Sequence, residues 1–596
     1  MSGKRVTFGR IFWPSLWAAL TISVIGFIIW IVVISSVVGG INADKGFSVE
    51  NKTVLHMTLD GSIQEKGSST LDFPLMKMKY KIGISEILHG LEAAKNDSKI
   101  QGVFIEINAL QCGFASAKEI RDAINRFEES GKFVIAYNSG EIITHLEYYI
   151  ASAANESYGF PSSTMQFLGL GAELSFFKNT LDKLDVEMQV IRGSDNDFKS
   201  AVEPFFRSNM SDSSRLQIET YIAGLWDDYR ADIAIDRKIS SKELNRLAEN
   251  ALIQNVSDAV EYKLIDAVKY RDEVISILTK KVKPAKGEEL NFMNFTKYSK
   301  KKFVQNQSLA QVDEANIAVI LAEGGVSESG DGLTSDEICQ LFKDARNNKS
   351  IKTVVFRINS PGGSALASDE IWREVKLTND VKKVIVSMGD VAASGGYYIA
   401  APAFKIFAQP NTITGSIGVF GVVPFTGKMM ENKLGLTFDR ASTNKHSIMT
   451  TNRKLTEDEM SLIQEGVDDI YDLFKSRVAE GRGMTKEEVG VIARGRVWTG
   501  RDAKRIGLVD ELGGIEDAIK YAAKQADIKD IKTLYYPEVK EDKLEALIEQ
   551  FITESDMSTS ISSELPVSLM KYYDHLKSLE TFQGIQMRLP YEFIIE

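Results

Sequence analysis

The chain has 596 residues, 44% hydrophobic and 26% charged, enough to bury a large core and unlike disordered, collagenous or coiled-coil compositions. Its net charge of -11, from 71 basic and 82 acidic residues, argues against a nucleic-acid binder, which carries a basic face. Two cysteines, Cys112 and Cys339, and five histidines supply neither a disulfide framework nor a multi-histidine metal centre.

The first predicted element is an apolar helix. No charge interrupts Ile11 to Val38, a run longer than the ~20 residues that cross a bilayer and longer than the ~7–15 apolar residues of a cleaved signal peptide. Lys4, Arg5 and Arg10 precede it, whereas Asp44, Lys45 and Glu50 follow. Residues 1–45 are therefore expected to form a cytoplasmic stub and a retained single-pass anchor, with the remaining chain outside the cytoplasmic membrane.

The body then repeats itself. GVFIEINALQCGFASAKEIRDAI from Gly102 is echoed by VVFRINSPGGSALASDEIWREV from Val354, so that Asn108 matches Asn359 and Glu119 matches Glu370. KFVIAYNSGEIITHLEYYIASAA is echoed by KKVIVSMGDVAASGGYYIAAPA, and SDAVEYKLIDAV by RDAKRIGLVDEL. Three matches in one order at nearly one spacing define two copies, residues 46–280 and 312–535. Within them GVFIEI, FVIAYN, TVVFRI and KVIVSM are short β-branched runs bounded by Gly, Asn and Asp, which predicts buried parallel strands in βαβ units. Residues 281–311 are polar, basic and aperiodic and are expected to be a linker. Residues 536–596 have no counterpart in the first copy and read as an extension, helical at DKLEALIEQFI and flexible around SDMSTSISSELP.

The copies differ where chemistry is expected. In the second, a strand runs into Ser394-Gly395-Gly396 and then a helix, which exposes a serine where backbone N–H groups favour developing negative charge. The N–H groups of Ser394 and Gly395 are the expected donors there. By itself the tripeptide is more often an N-cap in a glycine-rich turn. The loop Asn359-Ser360-Pro361-Gly362-Gly363-Ser364 adds two glycines whose amides suit an oxyanion hole. The first copy carries His145 in place of Ser394 and Gln111-Cys112 in place of the two glycines, so both elements are lost together. A base for the serine is offered by Lys199, set among Phe198, Ala201, Val202 and Pro204, where burial lowers an amine's pKa; a snorkelling surface lysine is the alternative for that segment.

GDVAASGGYYIA, RINSPGGSALAS, NTITGSIGVFGV and FKSAVEPFFRSNMS together resemble signal peptide peptidase A in its long, duplicated, membrane-anchored bacterial form. The resemblance covers the anchor, both repeats and their order. It implies an α/β fold of tandem ClpP/crotonase-like repeats and a Ser/Lys dyad, with Ser394 as nucleophile and Lys199 as general base. It further implies oxyanion amides from Gly363 and Gly395, with Gly362 shaping the loop, and Ser416 orienting the lysine. Base and nucleophile then lie on different copies, so the site forms only where copies meet, within one chain or between chains. The same resemblance implies a homotetramer in a bacterial inner membrane and no metal or nucleotide cofactor. Its substrates would be signal-peptide remnants and other hydrophobic peptides. Three alternatives remain beside it. Aligning Arg192 with Arg440 puts His446 near the position opposite Lys199, as a conventional base. A crotonase-type acyl-CoA enzyme would share the glycine-rich loops, and an inactive membrane scaffold would share the fold.

Overall fold

The computed structural model describes residues 48–72, 77–309, 314–330, 332–537 and 585–588. The anchor expected at 1–45 and nearly all of the 536–596 extension lie outside the described residues, among which no helix is long and apolar enough to cross a membrane.

The β-branched runs of the first copy form β1 (Thr53–Ser62), β2 (Ile100–Gln111), β3 (Phe133–Asn138) and β4 (Glu156–Gly159). After β5 (Glu187–Arg192), which leaves this sheet, come β6 (Ala267–Val268) and β7 (Phe292–Asn294). The order is β6-β4-β3-β2-β1-β7, parallel throughout. Val103, Phe104, Ile105, Val134, Ile135 and Ala136 are all fully buried, which is why these strands read as continuous apolar runs rather than alternating ones.

The second copy follows the same plan. Its elements are β8 (Ile317–Glu323), β9 (Thr353–Ser360), β10 (Gly362–Ser364), β11 (Val384–Ala393), β12 (Lys405–Ala408), β13 (Ile413–Gly415), β14 (Phe420–Phe425), β15 (Glu511–Leu512) and β16 (Thr533–Tyr536). The parallel core runs β15-β12-β11-β9-β8-β16, strand for strand the order of the first sheet. The match extends to side chains. Tyr148 donates to the Leu264 carbonyl at 2.9 Å and Tyr397 to the Leu508 carbonyl at 2.8 Å. The Asp266 and Asp510 carboxylates each accept one strand amide, from Ser157 and Ile406, at 2.7 Å.

The expected linker is structured. A helix over Arg271–Val282 crosses its start, β7 completes the first sheet beside β1, and a helix over Phe295–Leu309 packs on the helix Ile84–Asn96 through Ser299 and Phe303. β7 is the counterpart of β16 in the second copy. The aperiodic sequence concealed it because a three-residue edge strand and a lysine-rich helix leave little apolar pattern.

Three features fasten the copies together. β5, from the first copy, pairs antiparallel with β14, from the second, over six residue pairs from Arg192↔Phe420 to Glu187↔Phe425. Elsewhere Arg357 on β9, fully buried, makes ion pairs with Glu65 at 2.8 Å and Glu119 at 2.7 Å, both from the first copy. Burial pushes both carboxyls up and the guanidinium pulls them back. Asp390 on β11 accepts from the Gly113 and Ser116 amides at 3.2 and 2.8 Å, at the start of a first-copy helix.

Candidate active site

Strand β11 ends at Ala393, and the next helix covers only Gly395–Ala400. Between them Ser394 adopts φ 55° and ψ -115°, a left-handed conformation that a residue with a Cβ rarely holds. Its side chain makes no capping bond, which sets the N-cap alternative aside. Its amide does not face the cleft either. It donates to the Gly415 carbonyl at 2.8 Å, so the Ser394 N–H expected as an oxyanion donor is already committed to holding the turn.

The glycines around this turn are demanded by contact. A Cβ on Gly396 would sit 2.5 Å from the Ser360 carbonyl oxygen, and one on Gly395 would sit 3.1 Å from both Gly362 Cα and Gly363 N. A Cβ on Gly362, whose φ is +93°, would lie 2.6 Å from Gly395 N. The strand-to-helix turn and the Ser360–Ser364 loop thus touch backbone to backbone, with the Gly363 and Gly395 amide nitrogens both at the contact. The Gly362 amide donates to Ser360 Oγ at 3.2 Å, so that residue shapes the loop.

Lys199 arrives from the other copy. β5 delivers the chain to the Gly193–Asp197 turn, and Lys199 precedes a short 3-10 segment, Ser200–Val202. Phe198 N–H donates to the Arg494 carbonyl, and Gln217 ties the Phe198 carbonyl at 3.1 Å to the Val497 amide at 3.2 Å. The ammonium end is fully buried, so the snorkelling alternative does not hold. Nζ lies 2.8 Å from Ser394 Oγ, 3.0 Å from Ser416 Oγ and 3.1 Å from the Ser416 carbonyl oxygen. Burial pushes this amine well below the ordinary lysine range, and among the described residues no carboxylate pairs with it to restore the charge. Ser416 itself sits at φ 50°, with its amide on the Arg496 carbonyl at 2.7 Å, which turns both its oxygens toward Nζ.

Ser394, Lys199, Ser416, Gly362, Gly363 and Gly395 therefore come to one place within a single chain. His446 does not join them. It stands in an exposed turn, while the buried Ser394 Oγ is met by Lys199. One residue with a part in the site escaped the sequence reading. Gly495, at φ +74°, lies under the Lys199 backbone, and a Cβ there would come 2.5 Å from Lys199 Cβ. A glycine between two arginines signals a tight turn, but no local pattern connects it to a lysine so far away in the chain.

A cavity of about 980 Å3 lies beside the other copy's equivalent positions, not at Lys199 and Ser394. It is lined by Gln111, Cys112, Gly113 and His145 together with Asp390 and Asn411. Burial pushes the His145 imidazole down to about 4, and it packs against Phe167, Trp226 and Tyr229. Cys112 is a free, half-buried thiol, and burial pushes its pKa up, so it stays protonated and is not poised as a nucleophile at neutral pH.

Comparison with known proteins agrees with this duplicated plan. The model of Peptidase family S49 matches residues 126–284 and again residues 376–529. Protease 4 of Salmonella typhi is 34% identical over 469 residues, 76% of this chain and 73% of its own. The chloroplastic serine protease SPPA of Arabidopsis thaliana is 32% identical over 80% of this chain and 70% of its own. Protease 4 of Haemophilus influenzae is 31% identical over 84% of this chain and 83% of its own. A solved ClpP1 mutant chain from Listeria monocytogenes aligns over 97% of its length with 37% of this chain, at 16% identity and a TM-score of 0.25. Two S49 segments in one α/β chain, with relatives that match across both, place this protein in Peptidase family S49 as a serine peptidase of the Protease 4/SppA type.

Proposed function

We propose that this chain is a membrane-anchored serine endopeptidase that degrades signal peptides and other hydrophobic peptides outside the cytoplasmic membrane. The observation that carries the chemistry is the buried Lys199 amine 2.8 Å from Ser394 Oγ, with no carboxylate among the described residues to keep it charged. A neutral amine is a base. Lys199 takes the Ser394 proton as Oγ attacks the peptide carbonyl, and the Gly363 and Gly395 amides receive the oxyanion. Lys199 then returns that proton to the leaving amine, and water deacylates the enzyme by the reverse route. Ser416 Oγ and its carbonyl hold Nζ in line through both steps.

The uninterrupted apolar run Ile11–Val38 supports a single-pass anchor in a bacterial inner membrane, with the basic side in the cytoplasm. An anchor keeps the site beside the bilayer, where signal-peptide remnants reside. Four such chains in a ring would enclose the sites in a common chamber; cross-linking of the full chain in its membrane tests that assembly.

The decisive experiment is cleavage of a membrane-associated signal peptide by the full chain, its Ser394→Ala variant and its Lys199→Ala variant. Both variants are expected to lose turnover, and a fluorophosphonate is expected to label Ser394. Near-full activity of Lys199→Ala would remove the dyad from this reading.

A further inference from the structure

The first copy has kept a cleft where it lost its chemistry. In the second copy the Ser360–Ser364 loop and the Ser394 turn touch backbone to backbone. At the matching positions the first copy carries the side chains of Gln111, Cys112, His145 and Leu146, and the cavity of about 980 Å3 opens among them. That volume is at the upper end of the range for ligand pockets. Its walls include Phe114, Leu146 and Ile413, and they reach solvent at Ile142 and Leu168, which are 52% and 51% exposed.

The charge in this cavity has one sign. Glu323 and Asp390 line it, no lysine or arginine is among its described lining residues, and burial keeps His145 neutral. Arg357 is already paired with Glu65 and Glu119, and Glu323 feels the Asp390 carboxylate as well. A cation entering the cavity relieves that repulsion, whereas an anion adds to it. The helix start at Gly113 is closed to anions too. Gly113 stands where the second copy has Ser364, and its amide and the Ser116 amide donate to Asp390 at 3.2 and 2.8 Å, with Ser116 Oγ adding a third bond at 2.6 Å. A second-copy carboxylate therefore sits at that helix start, where an oxyanion or a peptide carboxylate would otherwise bind. One group in the wall still lacks a partner. Asn411 is 2% exposed, and its Oδ1 has no hydrogen-bond partner among the described residues. A buried acceptor is unfavourable until something supplies it with a donor.

We propose that this cavity is a second, non-catalytic site that takes the cationic end of an apolar peptide. The N–H groups of that end are met by Asn411 Oδ1 and its charge by Glu323 and Asp390, while the apolar side chains that follow lie on Phe114, Leu146 and Ile413. A signal peptide has this order, a positive stretch and then an apolar one. The site holds such a peptide without cutting it, since neither Ser394 nor Lys199 lines the cavity. That the ligand is a peptide rests on the function proposed above; its cationic and apolar chemistry rests on the cavity alone.

The test uses the full chain with Ser394→Ala, in which binding is read without turnover. The probe is a short peptide with a free amino terminus and one lysine, followed by leucines and alanines. Binding is read as protection of Cys112 from maleimide alkylation, mapped by mass spectrometry. Cys339, which does not line the cavity, is the internal control. The peptide is expected to slow alkylation of Cys112 and leave that of Cys339 unchanged. Removing both positive charges, by acetylating the amino terminus and replacing the lysine with norleucine, is expected to raise the half-protecting concentration roughly tenfold. Each change made alone tells the α-ammonium from the lysine as the cation. Glu323→Gln is expected to weaken protection by the charged peptide and not by the uncharged one. The peptide series needs no change in the cavity and decides alone if that variant folds poorly. No protection of Cys112, or equal protection by charged and uncharged peptides, overturns the proposal. Cleavage by the chain with Ser394 intact but without protection of Cys112 removes this site and leaves the peptidase reading standing; protection without cleavage does the reverse.

Discussion

The two copies start the same helix in two different ways. In the first, Thr144 takes an extended N-cap conformation, accepts from the Glu147 amide and closes a capping box with the Glu147 side chain. In the second, no side chain caps the helix, and Ser394 is held at φ 55° by the bond from its amide to Gly415. The following Tyr-Tyr-Ile-Ala segments and their tyrosine anchors are otherwise equivalent. Ahead of His145 the turn takes the capped arrangement that local chemistry prefers. Where Ser394 stands beside a buried amine, strain and a desolvated lysine persist, because the surrounding packing over-determines them. The first copy has kept a different contribution. It supplies Lys199, and it supplies the carboxylates that hold Arg357.

Lys199→Met should disturb this division of labour most. Peptide turnover is expected to fall by roughly 10³-fold or more, while the melting temperature rises, because a desolvated amine is replaced by an apolar chain of similar length. The pH behaviour gives the sign. Burial lowers the folded-state pKa, so on acidification Lys199 gains a proton, loses its basicity, and kcat/KM falls. Between that depressed value and the unfolded lysine value of about 10.4, the unfolded chain holds the extra proton, so stability rises with pH. Lys199→Met should flatten that rise, which urea titrations across pH would measure.

Arg357→Ala tests what fastens the copies. Removing one member of a buried ion triad strands Glu65 and Glu119, with an expected loss of about 3–5 kcal/mol in denaturant unfolding. Ser416→Ala is a smaller change. Lys199 keeps the Ser416 carbonyl and Ser394 Oγ but loses one acceptor, so kcat should fall roughly tenfold with KM unchanged. The smallest effect is expected for His145→Ser. It restores a serine at the relaxed turn without an amine beside it or the two glycines before it. Turnover should be unchanged, and the same substitution in the Ser394→Ala chain should give no fluorophosphonate labelling. Labelling there would show that the first copy still forms an oxyanion site.

Legibility in the sequence followed the range of the interaction. The buried parallel strands were plain because burial on both faces leaves an unbroken apolar signature in each local window. The repeat was plain because two copies of one packing problem keep similar solutions, such as Tyr148 with Tyr397. Ser394 and the Gly362-Gly363 pair stood out because close backbone approach excludes a Cβ, and that exclusion is written locally as glycine. β7 and its following helix were hidden, since a short edge strand needs little apolar pattern of its own.

The sequence by itself determined the duplication, the strand order's raw material and the loss of the serine and glycines from the first copy, because each is a property of contiguous residues. Only the tertiary structure decided that Lys199 meets Ser394 within one chain, that the Ser394 amide is spent on Gly415 rather than offered to a substrate, that Gly495 underlies the lysine, and that Met587 lies over Gly362. The meeting of Lys199 with Ser394 follows from β5 crossing to β14, and the place of Met587 from the strand Ile585–Arg588 pairing with β10. Such pairings join backbone to backbone, and backbone hydrogen bonds leave no mark on the side chains that a sequence records.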